Sequence, residues 1–432
     1  MLNFDLMWNR GLVLLLLPLL ISCQEEQDEL PPEIDFLSPT EQSGYRVLES
    51  VPIEARIRDN EQIESISLRL IRSADRRQVL GSKTYQASGK NFSLSDFFVL
   101  NDSLLEAGEY YFDLSVSDGE NEIAAFKTIR ISAMPKRRLG VLVHTETASG
   151  SVLYQLTDQG QNTLLSLSEQ PLEVAFNAYD QHYWVLPQNS NELKAYNLKE
   201  QRQVVGFSAT SSFSNPFQDA YLHDRQLFYT FSGGAVQRFS ASLSNRSLLQ
   251  TNPQIRLGQV AAAETYMLHE ESQINGSNRQ LKITFSSSGG NYGTLNLQHP
   301  LVDIAFYQKD KALIVEQAGN NIQLSLCDAA NISKRNLSSL NGQQGKKIVV
   351  QDERFSFIVT NRAVYRFDAQ LEQVLLFLNL ANVNTACLDP LNDHLLVAVG
   401  NNLREYRLSD GQLVSQHSFA ETIDQLSIWF NR

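Results

Sequence analysis

The sequence predicts an all-β chain in two parts, a two-sheet sandwich followed by a seven-bladed β-propeller closed by its C-terminal strand. Three observations predict it. Residues 33–134 alternate apolar and polar side chains in short runs, which is the period of strands. Residues 138–432 resemble themselves at intervals near forty residues, the interval of propeller blades. The chain also ends on an apolar run, IDQLSIWF, with only Asn431 and Arg432 after it. A lone terminal strand would leave its N–H and C=O groups unpaired, so it must join a sheet formed elsewhere.

In chain order, residues 1–22 read as a signal peptide. GLVLLLLPLLIS, Gly11 to Ser22, is apolar throughout but shorter than the roughly 20 residues a spanning helix needs. Asp5 offsets Arg10 ahead of it, whereas a start at Met7 gives MWNR, a positively charged flank. Leu20-Ile21-Ser22-Cys23 resembles the lipoprotein box of bacterial lipoproteins, which implies lipidation of the Cys23 thiol and cleavage just before it. Residues 23–32 form an acidic tether, and acidic residues directly after the cysteine resemble the surface-export signal of Bacteroidota lipoproteins. The resemblance implies a lipid-anchored outer-membrane protein exposed at the cell surface, held by acyl chains that each contribute about 0.8 kcal/mol per buried methylene.

The balance of charge excludes a class of partners. A net charge of −12, with no Lys/Arg run beyond PKRR at 135 to 138, argues against nucleic acid, which demands a concentrated basic surface. Cys327 and Cys387 show no CxxC or Cys/His spacing and read as buried small hydrophobes, so neither a disulfide framework, a metal nor a cofactor is expected.

Residues 33–134 contain EIDFLSP, VPIEARIRD, ESISLRLIR, FSLSDFFVL, EYYFDLSVSDG and AAFKTIRIS, separated by turn pairs such as Ala107-Gly108 and Asp118-Gly119. About seven strands in about a hundred residues suits a sandwich. Asp59 and Asp118 sit where an aspartate caps a turn, in preference to binding calcium. AGEYYFDLSVSDGEN and EARIRDNEQIESISLRL resemble bacterial immunoglobulin-like modules, which implies a domain that spaces or presents its neighbour.

In residues 138–432, apolar runs LEVAF, QDAYL, VAAAE, VDIAF, KIVVQ, NTACL and DQLSI end at Phe176, Leu222, Glu264, Phe306, Gln351, Leu388 and Ile428, in steps of 46, 42, 42, 45, 37 and 40. Each reads as an innermost strand. Most are followed by a second apolar strand (HYWVL, RQLFYTF, KALIVE, RFSFIV, HLLVAV) and a third with an aromatic near its middle, as at Tyr154, Tyr196, Phe239, Phe367 and Tyr406. The hairpin YRLSDGQLV resembles those of YVTN-type and quinoprotein-like propeller repeats. The unit opens with three strands lacking an inner one and ends with an inner one lacking three, so IDQLSIWF should pair with LGVLVHTE and close the ring. The spacing breaks between Gln259 and Gln298.

Chemical motifs are sparse. Asp180, Asp224, Asp310, Asp352 and Asp393, three with a histidine beside them (His182, His223, His394), recur between first and second strands and read as turn caps spread around a ring. No Asp-box, GxSxG, HExxH or P-loop is present, and beyond the leader only Trp184 and Trp429 remain, which does not match the repeated tryptophans of quinoprotein dehydrogenases. No catalytic residue is assigned. The loops PQNSNE, SGG, AGNN, TNR and GNN, with ATSSFSNPFQD and NGQQGKK, offer amides and aromatics for hydrogen bonding and stacking. Asn189, Asn320, Asn361, Asn401, Phe213, Phe217 and Arg362 are the ligand-binding candidates.

These readings lead to a non-enzymatic interaction protein of the cell envelope that binds a glycan or a protein partner. Two carboxylates about 5 to 10 Å apart in one central pocket would instead favour a carbohydrate-active hydrolase or lyase. A flat apolar face would favour a structural subunit of an outer-membrane complex.

Overall fold

The computed structural model describes residues 30–209, 216–252, 254–276 and 278–432; residues 1–22, read above as a signal peptide, Cys23 and most of the expected tether lie outside them, as does Phe213. All regular elements among the described residues are strands, and no helix there is long and apolar enough to cross a membrane. The chain divides into two compact units, Met1–Pro135 and Lys136–Arg432.

The smaller unit holds a three-stranded sheet, Glu33–Ser38, Ser50–Arg58 and Asn91–Val99, and a five-stranded one. The second sheet runs in the order Ser43–Arg46, Glu122–Ser132, Gly108–Ser117, Ser65–Arg72, Lys83–Tyr85. Alternation dictates what faces inward: in Ser50–Arg58, Val51, Ile53, Ala55 and Ile57 are buried while Glu54, Arg56 and Arg58 face outward. They join Phe98, Phe112, Leu68 and Leu114 from both sheets in one core. Asp59 and Asp118 behave as turn caps: Asp59 Oδ1 accepts the N–H of Glu61 at 2.7 Å, and Asp118 Oδ1 those of Glu120 and Asn121 at 2.8 and 2.6 Å.

The larger unit consists, among the described residues, of seven four-stranded antiparallel sheets. We number them I to VII. Sheet I contains Arg138–Thr147, Gly150–Thr157, Gly160–Leu167 and, at its inner edge, the terminal strand Ile423–Phe430. Sheets II to VII each start with their innermost strand: Pro171–Asn177, Phe217–His223, Ile255–Ala262, Leu301–Phe306, Gly345–Val350 and Val383–Asp389. Each innermost strand touches the next, and Ile423–Phe430 touches both Val383–Asp389 and Pro171–Asn177, so the cycle closes. The terminal strand pairs as its sequence demands, with Ile428 opposite Val141 and Leu426 opposite Val143.

Second strands are the most apolar because neighbouring sheets cover both of their faces. Tyr183 to Leu186, Leu227 to Thr230, Ala312 to Val315, Phe357 to Val359 and Leu395 to Ala398 are buried without alternation. Outermost strands such as Leu413–Ser418 are largely exposed. Cys327 and Cys387 are unpaired, and burial pushes both thiols up to about 12.

Candidate functional site

Two features recur in every sheet of the larger unit and together build its centre. The first is a hydrogen bond from the end of the second strand back to the residue before the innermost strand: Glu146 N to Thr422 O, Gln188 N to Gln170 O, Ser232 N to Pro216 O, Ile274 N to Gln254 O, Gln317 N to Pro300 O, Asn361 N to Gln344 O and Gly400 N to Asn382 O. The second is a β-bulge near the start of each innermost strand. A bulge re-aims a side chain within or next to it. Here it brings Glu173, Asp219, Gln259, Asp303, Lys347, Thr385 and Gln425, one from each sheet, to the wall of one central cavity. Asp424, Asn384 and Lys346 line it as well, and its volume is about 490 Å³.

Charge is concentrated in this channel. Lys347 Nζ lies 3.9 Å from Glu173 Oε1, so the side chain of sheet VI reaches that of sheet II. Asp219 Oδ2 accepts the N–H of Val260 at 2.7 Å, and Asp303 Oδ2 that of Ile348 at 2.6 Å. Each of these two carboxylates therefore ties its strand to the innermost strand of the following sheet.

Crowding and burial set the protonation of the group. Burial, with the neighbouring Glu173 charge, raises Asp219 well above the usual carboxylate range. Burial pushes Asp303 up to about 6 despite its N–H donors and Lys347. Asp424 is pushed up to about 7, by burial first and then by Glu146 and Glu173. Glu173 is raised by burial against the pull of Lys347. Burial works against the Lys347 ammonium too, but Glu173 and Asp303 outweigh it and raise its pKa. The channel thus holds two lysines, Lys346 and Lys347, four carboxyl groups whose protonated form burial favours, and the amides of Gln259, Asn384 and Gln425. No cluster of three His, Cys, Asp or Glu able to hold a metal occurs among the described residues.

Of the candidates named from sequence, those among the described residues fall elsewhere, and none of them lines the channel. Asn189, Asn320, Asn401 and Arg362 are exposed in the connections between second and third strands, one sheet apart or more, so they do not converge. Asn361 and Asn401 use their amides on backbone of neighbouring connections: Asn361 Oδ1 accepts the Gln344 N–H at 2.9 Å, and Asn401 Nδ2 donates to Phe419 O at 2.8 Å. Phe217 is 1% exposed and packs on Phe231 and Tyr229, because it stands just before the bulge and points into the interior. It is a core residue in this structure, not a surface aromatic. The recurring aspartates between first and second strands stay apart, as expected of turn residues. Asp352 Oδ1 caps Arg354 and Phe355 N–H at 2.8 and 2.7 Å, whereas Asp180 pairs with Arg225 across to the next sheet. The channel residues were missed, although a polar residue stands first or second in LEVAF, QDAYL, VDIAF, KIVVQ, NTACL and DQLSI.

No family model and no curated protein matches the chain. Among solved structures, a protein from Lactobacillus plantarum superposes with a TM-score of 0.54 at 12% identity, covering 68% of this chain and 99% of that one. A quinoprotein alcohol dehydrogenase-like protein from Bacteroides thetaiotaomicron gives 0.49 at 11% identity, over 93% of this chain and 99% of that one. A candidate 6-phosphogluconolactonase from Bacteroides fragilis gives 0.49 at 11% identity, over 67% and 97%. At such identities the likeness is one of fold alone. With the closed cycle of four-stranded sheets around a channel, it makes the larger unit a β-propeller.

Proposed function

We propose that this chain is a lipid-anchored protein of the outer cell surface whose seven-bladed propeller binds a glycan at the mouth of its central channel. Leader and anchor rest on the sequence of residues 1–32, with Cys23 as the lipidated residue. The smaller unit acts as an immunoglobulin-like spacer. That reading is supported by the parallel pairing of Ser43–Arg46 with Glu122–Ser132 and by Tyr110, whose hydroxyl donates back to Glu106 O at 2.9 Å in the manner of a tyrosine corner.

The observation that carries the binding function is the ring of seven positions at or just after the bulges, which turns carboxyl, amide, hydroxyl and ammonium groups toward one cavity. Sugar hydroxyls both donate and accept, and such a mixed set satisfies them. A cavity of about 490 Å³ admits a sugar ring or two but no folded protein. The test is a glycan array probed with the mature chain and with Gln425→Trp, which fills the channel. Binding by the wild type that Gln425→Trp abolishes supports the reading. Binding that survives this substitution, or none at all, removes it.

A second reading, a glycan-cleaving enzyme, is favoured by one observation. Asp424, pushed up to about 7, shares the channel with Glu173, and a carboxyl that is protonated near neutrality suits a general acid. Turnover of the array-positive glycan by the wild type, lost in Asp424→Asn with binding retained, would decide for it.

A further inference from the structure

Sheet IV departs from the repeat beside the channel. In the other six sheets one residue pair precedes the bulge of the innermost strand. In sheet IV three do: Ile255 with Gln273, Arg256 with Ser272 and Leu257 with Glu271. Two additional pairs lengthen this ladder by about 7 Å at the usual rise per residue. The lengthened ladder walls a second cavity of about 370 Å³, whose lining includes Arg256, Gly258, Gln259, Glu270 and Arg279. Gln259 also lines the channel, so a single residue borders both cavities.

Both arginines are oriented before any ligand arrives. Nε and Nη2 of the exposed Arg256 donate to Gln218 Oε1 at 2.9 and 2.7 Å, which fixes the guanidinium plane and leaves further N–H groups of the five. Arg279 Nη1 donates to Glu270 Oε1 at 2.7 Å, and Glu270 is only 5% exposed. Gly258 makes room for that carboxylate, since a Cβ there would lie 2.3 Å from Glu270 Oε2. Two guanidinium groups against one carboxylate leave a local excess of positive charge in a chain whose net charge is −12.

We propose that this cavity is an anion subsite that takes the carboxylate of an acidic sugar, a uronate, adjoining the sugar held in the channel. The assignment rests on the glycan reading above. A planar carboxylate matches the fork of a guanidinium through two parallel hydrogen bonds. The acidic channel does not oppose it, because none of its carboxyl residues, Glu173, Asp219, Asp303 and Asp424, lines this second cavity.

The test is calorimetric titration of the full chain and of Arg256→Gln with sodium glucuronate, glucose and sodium sulfate, with Arg362→Gln as a control for an exposed arginine elsewhere. The wild type and the control should bind glucuronate at least about tenfold more tightly than glucose, equivalent to about 1.4 kcal/mol. Arg256→Gln should bring that ratio close to one without changing the glucose affinity. Equal affinity for the two sugars in the wild type, or a ratio that survives Arg256→Gln, overturns the subsite. If neither sugar binds, sulfate decides. Sulfate binding lost in Arg256→Gln keeps the anion subsite while the glycan reading falls, and absent or unaltered sulfate binding overturns the subsite itself.

Discussion

Asp303 shows how one residue type serves two ends in this propeller. Its Oδ2 accepts the Ile348 N–H of the next sheet at 2.6 Å, and its Oδ1 the N–H of Ile304 at 2.8 Å, while the carboxyl still faces the channel. Asp303→Ala strands a buried N–H between two sheets and should cost about 1–3 kcal/mol of stability, measured by urea denaturation. Asp424 gives a different signature. Its folded pKa, about 7, lies above that of an unfolded aspartate, so the folded state holds the proton more strongly over the interval between them. Its contribution to stability is therefore present below pH 4 and lost as pH rises through about 7. Relative to Asp424→Asn, the wild type should lose more than about 1 kcal/mol, one pKa unit's worth, between pH 4.5 and pH 8. An unchanged difference across that interval would contradict the assignment. At this scale the sequence was legible where a side chain acts locally, as in the caps of Asp59, Asp118 and Asp352. It was not legible for Glu173 and Lys347, which lie 174 residues apart in the chain and meet only because the ring is closed.

At the level of elements, strand types follow from how many faces are covered. Second strands such as His182–Pro187 read as continuous apolar runs, and this pattern located them in the sequence. The bulges were invisible there, since one additional residue in a strand shifts register without altering composition. The broken spacing between Gln259 and Gln298 has a physical reason in the longer ladder of sheet IV. That sheet is also wedged against its neighbour at Gly289, where φ is +73° and a Cβ would lie 2.1 Å from Leu248 O of sheet III. Gly289→Ala combines left-handed strain with a backbone clash and should lower stability by about 1–3 kcal/mol. A thermal midpoint within one degree of wild type would show that the two sheets can part there freely.

For the whole molecule, the decisive contact joins residues nearly 300 positions apart. Ile423–Phe430 covers Val141 and Val143, and Trp429 Nε1 donates to Gln181 Oε1 at 2.6 Å, linking sheet I to sheet II. Deleting residues 423–432 uncovers an inner sheet edge and removes three channel-lining side chains, Asp424, Gln425 and Ser427. The larger unit should then lose its cooperative unfolding transition and associate, as seen by calorimetry and light scattering. Closure was legible from sequence by counting strands, because an apolar terminal strand has nowhere else to satisfy its backbone. What the ring encloses was not, because the polar position within each inner strand acquires meaning only when seven of them face one another.

The crystal structure of the protein bound to a glycan selected on the array tests the central claim most directly. The account predicts a sugar ring within hydrogen-bonding reach of Lys347, Asp424 and Gln425 at the channel mouth. A sugar seated instead on the loops of Asn189, Asn320 or Asn401, or on the smaller unit with the channel empty, would contradict it.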